Sequence, residues 1–165
     1  MYVIISATNR INSHTEKVAL QYQKLLKEKG VEANIFSLKG LNVLEANEDF
    51  SMAENTYLAP AQKFIFIMPE YNGSFPGVLK AMIDNSDIRK AWWGKKALLT
   101  GISTGRAGNL RGMDHITGVL NYMKMVVHPN KLPISVIDKV MDNTGTLSHE
   151  TLQAIDRQLD EFVNF

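Results

Sequence analysis

The chain has 165 residues, 45% of them hydrophobic, with 18 Lys and Arg against 17 Asp and Glu, a formal net charge of +1 and no cysteine. That length suits one domain over 1–165, since domains usually run about 100–200 residues. The missing thiols exclude disulfides, cysteine nucleophiles, C-x-x-C redox pairs and cysteine-ligated clusters, so a redox function would need a bound cofactor.

Tyr2 to Ile5 is a β-branched and aromatic run that predicts a first strand, and Ser6 to Ser13 is its loop, rich in turn formers and hydroxyls. Val18, Tyr22, Leu25 and Leu26 recur at helical spacing and Gly30 stands at C′, which predicts an amphipathic helix of about four turns. Ala33 to Phe36 predicts a second strand. From Ser37 to Pro60 neither period persists, apart from a short helix over Met52 to Leu58. Such a long irregular connection is more often functional or partly disordered than filler. Phe64 to Met68 is apolar on both faces, as the centre of a parallel sheet requires. The loop Pro69 to Gly77 follows, with Val78, Leu79, Met82 and Ile83 on the next helix. Ala97 to Thr100 predicts a fourth strand, Ser103 to Gly108 its loop, and Met113, Ile116, Val119, Leu120 and Met123 a helix. Met125 to Val127 begins a fifth strand interrupted by Pro129 and Pro133. Leu152, Ile155, Leu159, Phe162 and Val163 mark a last helix, N-capped by Ser148.

Five strand-helix alternations without repeats predict an α/β fold, a parallel sheet covered on both faces. Ligands of such sheets bind beyond the carboxyl ends of the strands where the winding reverses. The loops after strands one, three and four are therefore the candidates. No run of Lys and Arg offers a footprint for nucleic acid or a membrane surface. No apolar stretch approaches the ~20 residues of a membrane span, and the first residues show neither a basic n-region nor a cleavage site. A cytoplasmic protein is expected.

The first loop carries Thr8, Asn9, Arg10, Ser13 and Thr15 and ends at a helix N-terminus. Free amides, the helix dipole and a guanidinium suit a phosphate. Ser13-His14-Thr15-Glu16 reads equally well as an S-x-x-E capping box. G-x-x-x-x-G-K-[ST] and G-x-G-x-x-G are both missing, which disfavours a P-loop hydrolase and a Rossmann dinucleotide fold. A phosphatase with its phosphate loop here would need a cysteine. In the second loop Pro69, Glu70, Tyr71 and Asn72 precede Gly73 and Gly77, a surface suited to a flat, polar-edged aromatic ligand. The plainer alternative is a turn with Ser74 as N-cap and Pro76 early in the next helix. The third loop, Ser103 to Asn109, is a Gly-punctuated turn converging on the same sheet edge. His14, His115, His128 and His149 lack metal-site spacing. A receiver-type signalling domain would want an aspartate at the end of strand three, where Pro69 and Glu70 stand.

The stretch Pro69-Glu70-Tyr71-Asn72-Gly73-Ser74-Phe75-Pro76-Gly77-Val78-Leu79-Lys80, with Ile83-Asp84 further along, resembles the flavin-binding signature of the NADPH-dependent FMN reductase family. Thr8-Asn9-Arg10 with Ser13 resembles its phosphate loop, and Ser103 with Gly105 and Gly108 its third flavin loop. The resemblance implies a flavodoxin-like three-layer α/β/α sandwich with a five-stranded parallel sheet of order 2-1-3-4-5. It implies FMN, with the phosphate on Thr8, Arg10, Ser13 and Thr15 and His14 adjacent. Pro69, Glu70, Tyr71 and Asn72 would take the isoalloxazine and ribityl chain, with Ser103 and Gly105 on the far side.

The implied activity is hydride transfer from NADPH or NADH, a transient co-substrate, to FMN and on to a small acceptor: a quinone, azo compound, metal ion or free flavin. No side chain need act as acid or base. A single domain of this length favours FMN over FAD. A flavodoxin-like electron carrier without NAD(P)H turnover is the alternative, but such carriers are usually strongly acidic. The resemblance also implies a homodimer or homotetramer, with Trp92, Trp93 and Met113 as candidates for burial between subunits. Two features depart from the family: Ala7 stands where glycine is common, and the Ser37 to Pro60 connection is short.

Overall fold

Consecutive residues of the central strands are apolar and buried, so both faces of the sheet must be covered. In the computed structural model, which describes residues 1–165, β1 (Tyr2–Ser6) leads into α1 (His14–Glu28). β2 (Ala33–Ser37) leads into a connection holding α2 (Glu48–Ala53) and a π-helical turn (Glu54–Leu58). Then come β3 (Lys63–Pro69), α3 (Gly77–Asn85), α4 (Ile88–Ala91), β4 (Lys96–Ile102) and α5 (Leu110–Tyr122). β5 (Val126–Val127), β6 (Leu132–Ile134), α6 (Ile137–Val140) and α7 (His149–Asn164) follow. All pairings are parallel and the order is β2-β1-β3-β4-β5, as the resemblance implies.

One apolar core lies between the sheet and α3 and α5, taking Ile5, Phe64, Phe66 and Leu99 from the strands. The other lies under α1 and α7, taking Ile4, Ile65, Ile67 and Leu98. This period-two division of β3 and β4 makes the three layers. Ser13 caps α1 and Gly30, at φ 75, lets the chain leave it.

The fifth strand is two pieces on one edge: β5 pairs with Lys96 and Ala97, β6 with Thr100 to Ile102. Pro129 lies in the gap, whereas Pro133 sits inside β6 on this outer edge, where a missing N–H is tolerated. Gln158 of α7 fills the break, its Nε2 donating to the carbonyls of Leu99 (3.2 Å) and Asn130 (2.8 Å). Tyr22 of α1 donates to Gln158 Oε1 (2.7 Å) and lies 2.7 Å from the Thr100 hydroxyl, all of it buried. Burial pushes the Tyr22 phenol well above its ordinary range.

The short helix expected over Met52 to Leu58 begins earlier, at Glu48, because Asn47 caps it by accepting the Phe50 amide (2.8 Å). Its last residues widen into the π-helical turn, where Lys95 takes up orphaned carbonyls. The Lys95 ammonium donates to Leu58, Ala59 and Lys90 at 2.7–2.9 Å, and its burial lowers its pKa. Trp92 and Met113 are not left for a partner subunit: both are fully buried within this chain. Trp92 packs 5.0 Å from the Phe64 ring and donates from Nε1 to Ser86 (2.7 Å). Trp93 alone faces outward, 37% exposed, with Lys124 over its ring at 3.9 Å. No helix is long and apolar enough to cross a membrane.

Candidate functional site

Parallel register brings the carboxyl ends of β1, β3 and β4 side by side: Ser6 pairs with Ile67, and Pro69 with Ile102. The three loops that leave them enclose a cavity of about 330 Å³, bounded by residues 10–15, 69–71 and 102–104 and by Ile137 of α6.

In the first loop the capping reading holds in part. Ser13 Oγ accepts the Glu16 amide (3.2 Å), which caps α1. The Glu16 carboxylate, however, turns to Lys39 (3.2 and 3.3 Å) and does not complete the box. The Ser13 amide is thereby left without a protein acceptor, and the amides of Asn9, Ile11, Asn12, His14 and Thr15 have none either. Free N–H groups at the positive end of a helix, with Arg10 beside them, suit an anion. Ala7 sits at negative φ, an angle alanine accepts.

The Thr8 hydroxyl and the His14 ring already have protein partners. The buried Thr8 hydroxyl lies 2.5 Å from the Tyr71 hydroxyl and accepts the Arg10 amide (3.2 Å), so it ties the first loop to the second. Arg10 places its guanidinium 4.1 Å from the Tyr71 ring centroid. His14 lines the cavity, but its ring nitrogens are taken by Asp138 (3.0 Å) and Met141 Sδ (3.2 Å), which fastens α1 to α6. Thr15 is buried and lines the same cavity.

The second loop is a tight hairpin. Tyr71 and Ser74 exchange backbone hydrogen bonds (2.9 and 3.2 Å), and Asn72 and Gly73 between them have φ 52 and 79. Both central residues at positive φ make a type I′ turn, for which Asn-Gly is the favoured pair. It leaves the Asn72 and Gly73 amides without protein acceptors. Glu70 donates its amide to Ile102 (2.8 Å) and lines the cavity. The expected Ser74 cap does not form. Pro76, with ψ 139, is the N-cap of α3, and the Ser74 hydroxyl meets His115 Nδ1 at 2.9 Å.

The third loop is organised by the Ser103 hydroxyl, which donates to the Gly105 carbonyl (2.8 Å) and accepts the Gly108 amide (2.9 Å). The amides of Thr104, Gly105, Arg106 and Ala107 remain free. Gly108, at φ 54, must be glycine: a Cβ there would stand 2.6 Å from Pro133. Val136, just before α6, is also held at positive φ (44°), an unfavourable angle for a β-branched residue. Its amide and that of Ile137 bond the carbonyls of Gly105 and Ser103 (2.9 and 3.0 Å), so this strained corner braces the third loop. The sequence pattern missed this corner, and it missed Asn109. A valine and an asparagine at left-handed angles carry no periodic signal.

The irregular connection after β2 contributes a wall. Leu38, residues 40–44, Asn9, Tyr71 and residues 76–78 bound a second cavity of about 590 Å³ on another side of Tyr71.

The first loop and the amide-rich slot beside it suit a phosphorylated, acceptor-edged ring, and cavities of this size hold small cofactors. A family model described as NADPH-dependent FMN reductase matches residues 2–137. The chain belongs to the NADPH-dependent FMN reductase family. A 2-hydroxy-1,4-benzoquinone reductase of Burkholderia sp is 28% identical over 110 residues, covering 64% of this chain and 60% of that protein. An NAD(P)H-dependent FMN reductase of Pseudomonas aeruginosa is 33% identical over 103 residues, covering 59% and 55%. The chain thus spans little more than half the length of these curated relatives. In structure, this FMN reductase family member is similar to FerB, a flavoenzyme NAD(P)H:(acceptor) oxidoreductase of Paracoccus denitrificans. The TM-score is 0.80 at 23% identity, covering 99% of this chain and 94% of that one, which shows a shared fold.

Proposed function

We propose that this chain binds FMN in the cavity between the three loops and works as an NAD(P)H-dependent oxidoreductase that reduces a small acceptor. The observation that carries the reading is the first loop: six acceptor-free amides and an unpaired arginine beside a slot lined by further free amides. When bound, the flavin supplies the redox chemistry, taking a hydride from the nicotinamide and passing it to the acceptor.

The residues' own tasks follow from their geometry. Ser13, Thr15 and the loop amides bind the phosphate, and Arg10 adds a charge-assisted donor. Thr8 acts at one remove, by holding Tyr71. Pro69, Glu70, Tyr71 and Asn72 form one wall of the ring slot, with the Asn72 and Gly73 amides as donors. Ser103 shapes the opposite wall, where the Thr104 and Gly105 amides serve the acceptor edge of the ring and favour negative charge on it. His14 closes the phosphate end through Asp138.

The acceptor class we favour is a quinone, which the name of the Burkholderia relative supports. A homodimer or homotetramer in the cytoplasm completes the reading. Steady-state NADPH oxidation tests it: FMN-loaded protein should turn over NADPH with a benzoquinone. Flavin binding without such turnover would favour an electron carrier instead.

A further inference from the structure

One side chain outside the expected site joins the end of β3 to the start of α5. Asn109 is fully buried at φ 61, and its Nδ2 donates to the carbonyls of Met68 (3.1 Å) and Pro69 (3.0 Å). From those two residues the second loop departs, while Asn109 itself closes the third. A flipped amide would set Oδ1 against two carbonyl oxygens, so its orientation is fixed. Oδ1 is the one buried side-chain polar atom in the chain without a hydrogen-bond partner. Such an atom calls for an explanation.

The surroundings are cleared for this side chain. A Cβ on Gly101 would collide with the Gly108 carbonyl and lie 2.9 Å from Asn109 Cβ. A Cβ on Gly112 would collide with Oδ1 and stand 2.7 Å from the Phe75 amide nitrogen. Further along α5, Arg111 Nη1 lies 2.9 Å from the place of a Cβ on Gly73, and His115 holds Ser74. Asn109 at the base and His115 at Ser74 thus tie the second loop to the α5 end, with Arg111 beside its tip. Helix capping does not account for Asn109, whose side chain accepts no amide of α5. The backbone angle does not either, since glycine would meet it.

Resting on the FMN reading above, we infer that Asn109 is a positioning residue that fixes the spacing of the second and third loops, and so the width of the slot for the flavin ring. The test is Asn109→Gly, which keeps the backbone angle and removes both hydrogen bonds. Affinities for FMN and for riboflavin, which lacks the phosphate, are measured by quenching of flavin fluorescence, and the visible spectrum of bound FMN is recorded at saturation. Both dissociation constants should rise together, by about tenfold, and the spectrum should shift. A lower melting temperature with wild-type affinities and spectrum would make Asn109 merely structural and overturn the assignment. Should the glycine variant fail to fold, Asn109→Asp tests the same point. It is isosteric, tolerates the same angle, and sets a carboxylate against the two carbonyls, so a larger joint loss is expected. Wild-type protein that takes up neither flavin refutes the functional reading itself, and this assignment with it.

Discussion

Arg10→Ala separates phosphate recognition from ring recognition. In the free protein the guanidinium rests 4.1 Å from the Tyr71 ring centroid, without a carboxylate partner. Binding a phosphate exchanges that contact for a charge-assisted hydrogen bond. Such a bond contributes about 1.5–3 kcal/mol, and the cation–π contact given up is worth about 0.5–1 kcal/mol at an exposed site. The net loss on truncation is about 0.5–2.5 kcal/mol, a rise of roughly 2- to 70-fold in the FMN dissociation constant, centred near tenfold. Riboflavin has no phosphate, so its affinity should stay within about twofold of wild type. Fluorescence titration of both flavins against wild type and variant is the assay. An unchanged FMN affinity, or an equal loss for riboflavin, would refute the assignment of the first loop to phosphate.

Tyr71→Phe removes the 2.5 Å contact with Thr8. It should weaken FMN and riboflavin alike by about 2- to 12-fold, the equivalent of one net hydrogen bond, and equilibrium titration checks this. Tyr22→Phe strips the hydroxyl from its buried partners Thr100 and Gln158. It should cost about 1–3 kcal/mol in urea unfolding and leave flavin affinity unchanged. The Tyr22 phenol also carries a pH signature. Its pKa is raised by burial, so above the ordinary value near 10 the unfolded chain loses this proton while the folded chain keeps it. Its contribution is complete below pH 10 and is lost as pH rises further. The wild-type stability curve should therefore fall more steeply there than that of Tyr22→Phe.

What could be read from the chain, and what could not, follows from which forces act locally. The apolar runs at Tyr2 to Ile5 and Phe64 to Met68, and the helical spacing of Val18, Tyr22 and Leu26, reflect burial, so the strands and the two-sided layering were legible locally, whereas the strand order came from the family resemblance. Asn72-Gly73 encodes its own hairpin turn, and reading it as such would have placed the free amides of the second loop. Where one residue has several possible partners, spacing is silent. Ser103, Thr8 and His14 have the right types at the right places, yet their polar atoms serve Gly105 and Gly108, Tyr71, and Asp138. Adjacent Trp92 and Trp93 read alike, and only tertiary packing sends the first into the core. Asn109 before a helix looks like a cap, and its actual bonds reach 40 and 41 residues back along the chain.

The measurement that bears most directly on the account is the visible spectrum of the purified protein after incubation with FMN, removal of the unbound flavin, and anaerobic addition of NADPH. The account predicts that FMN is retained in stoichiometric amount, that its absorbance near 450 nm bleaches on NADPH addition, and that a benzoquinone restores it. Protein that passes through desalting without flavin, or that holds flavin which NADPH fails to bleach, would contradict it.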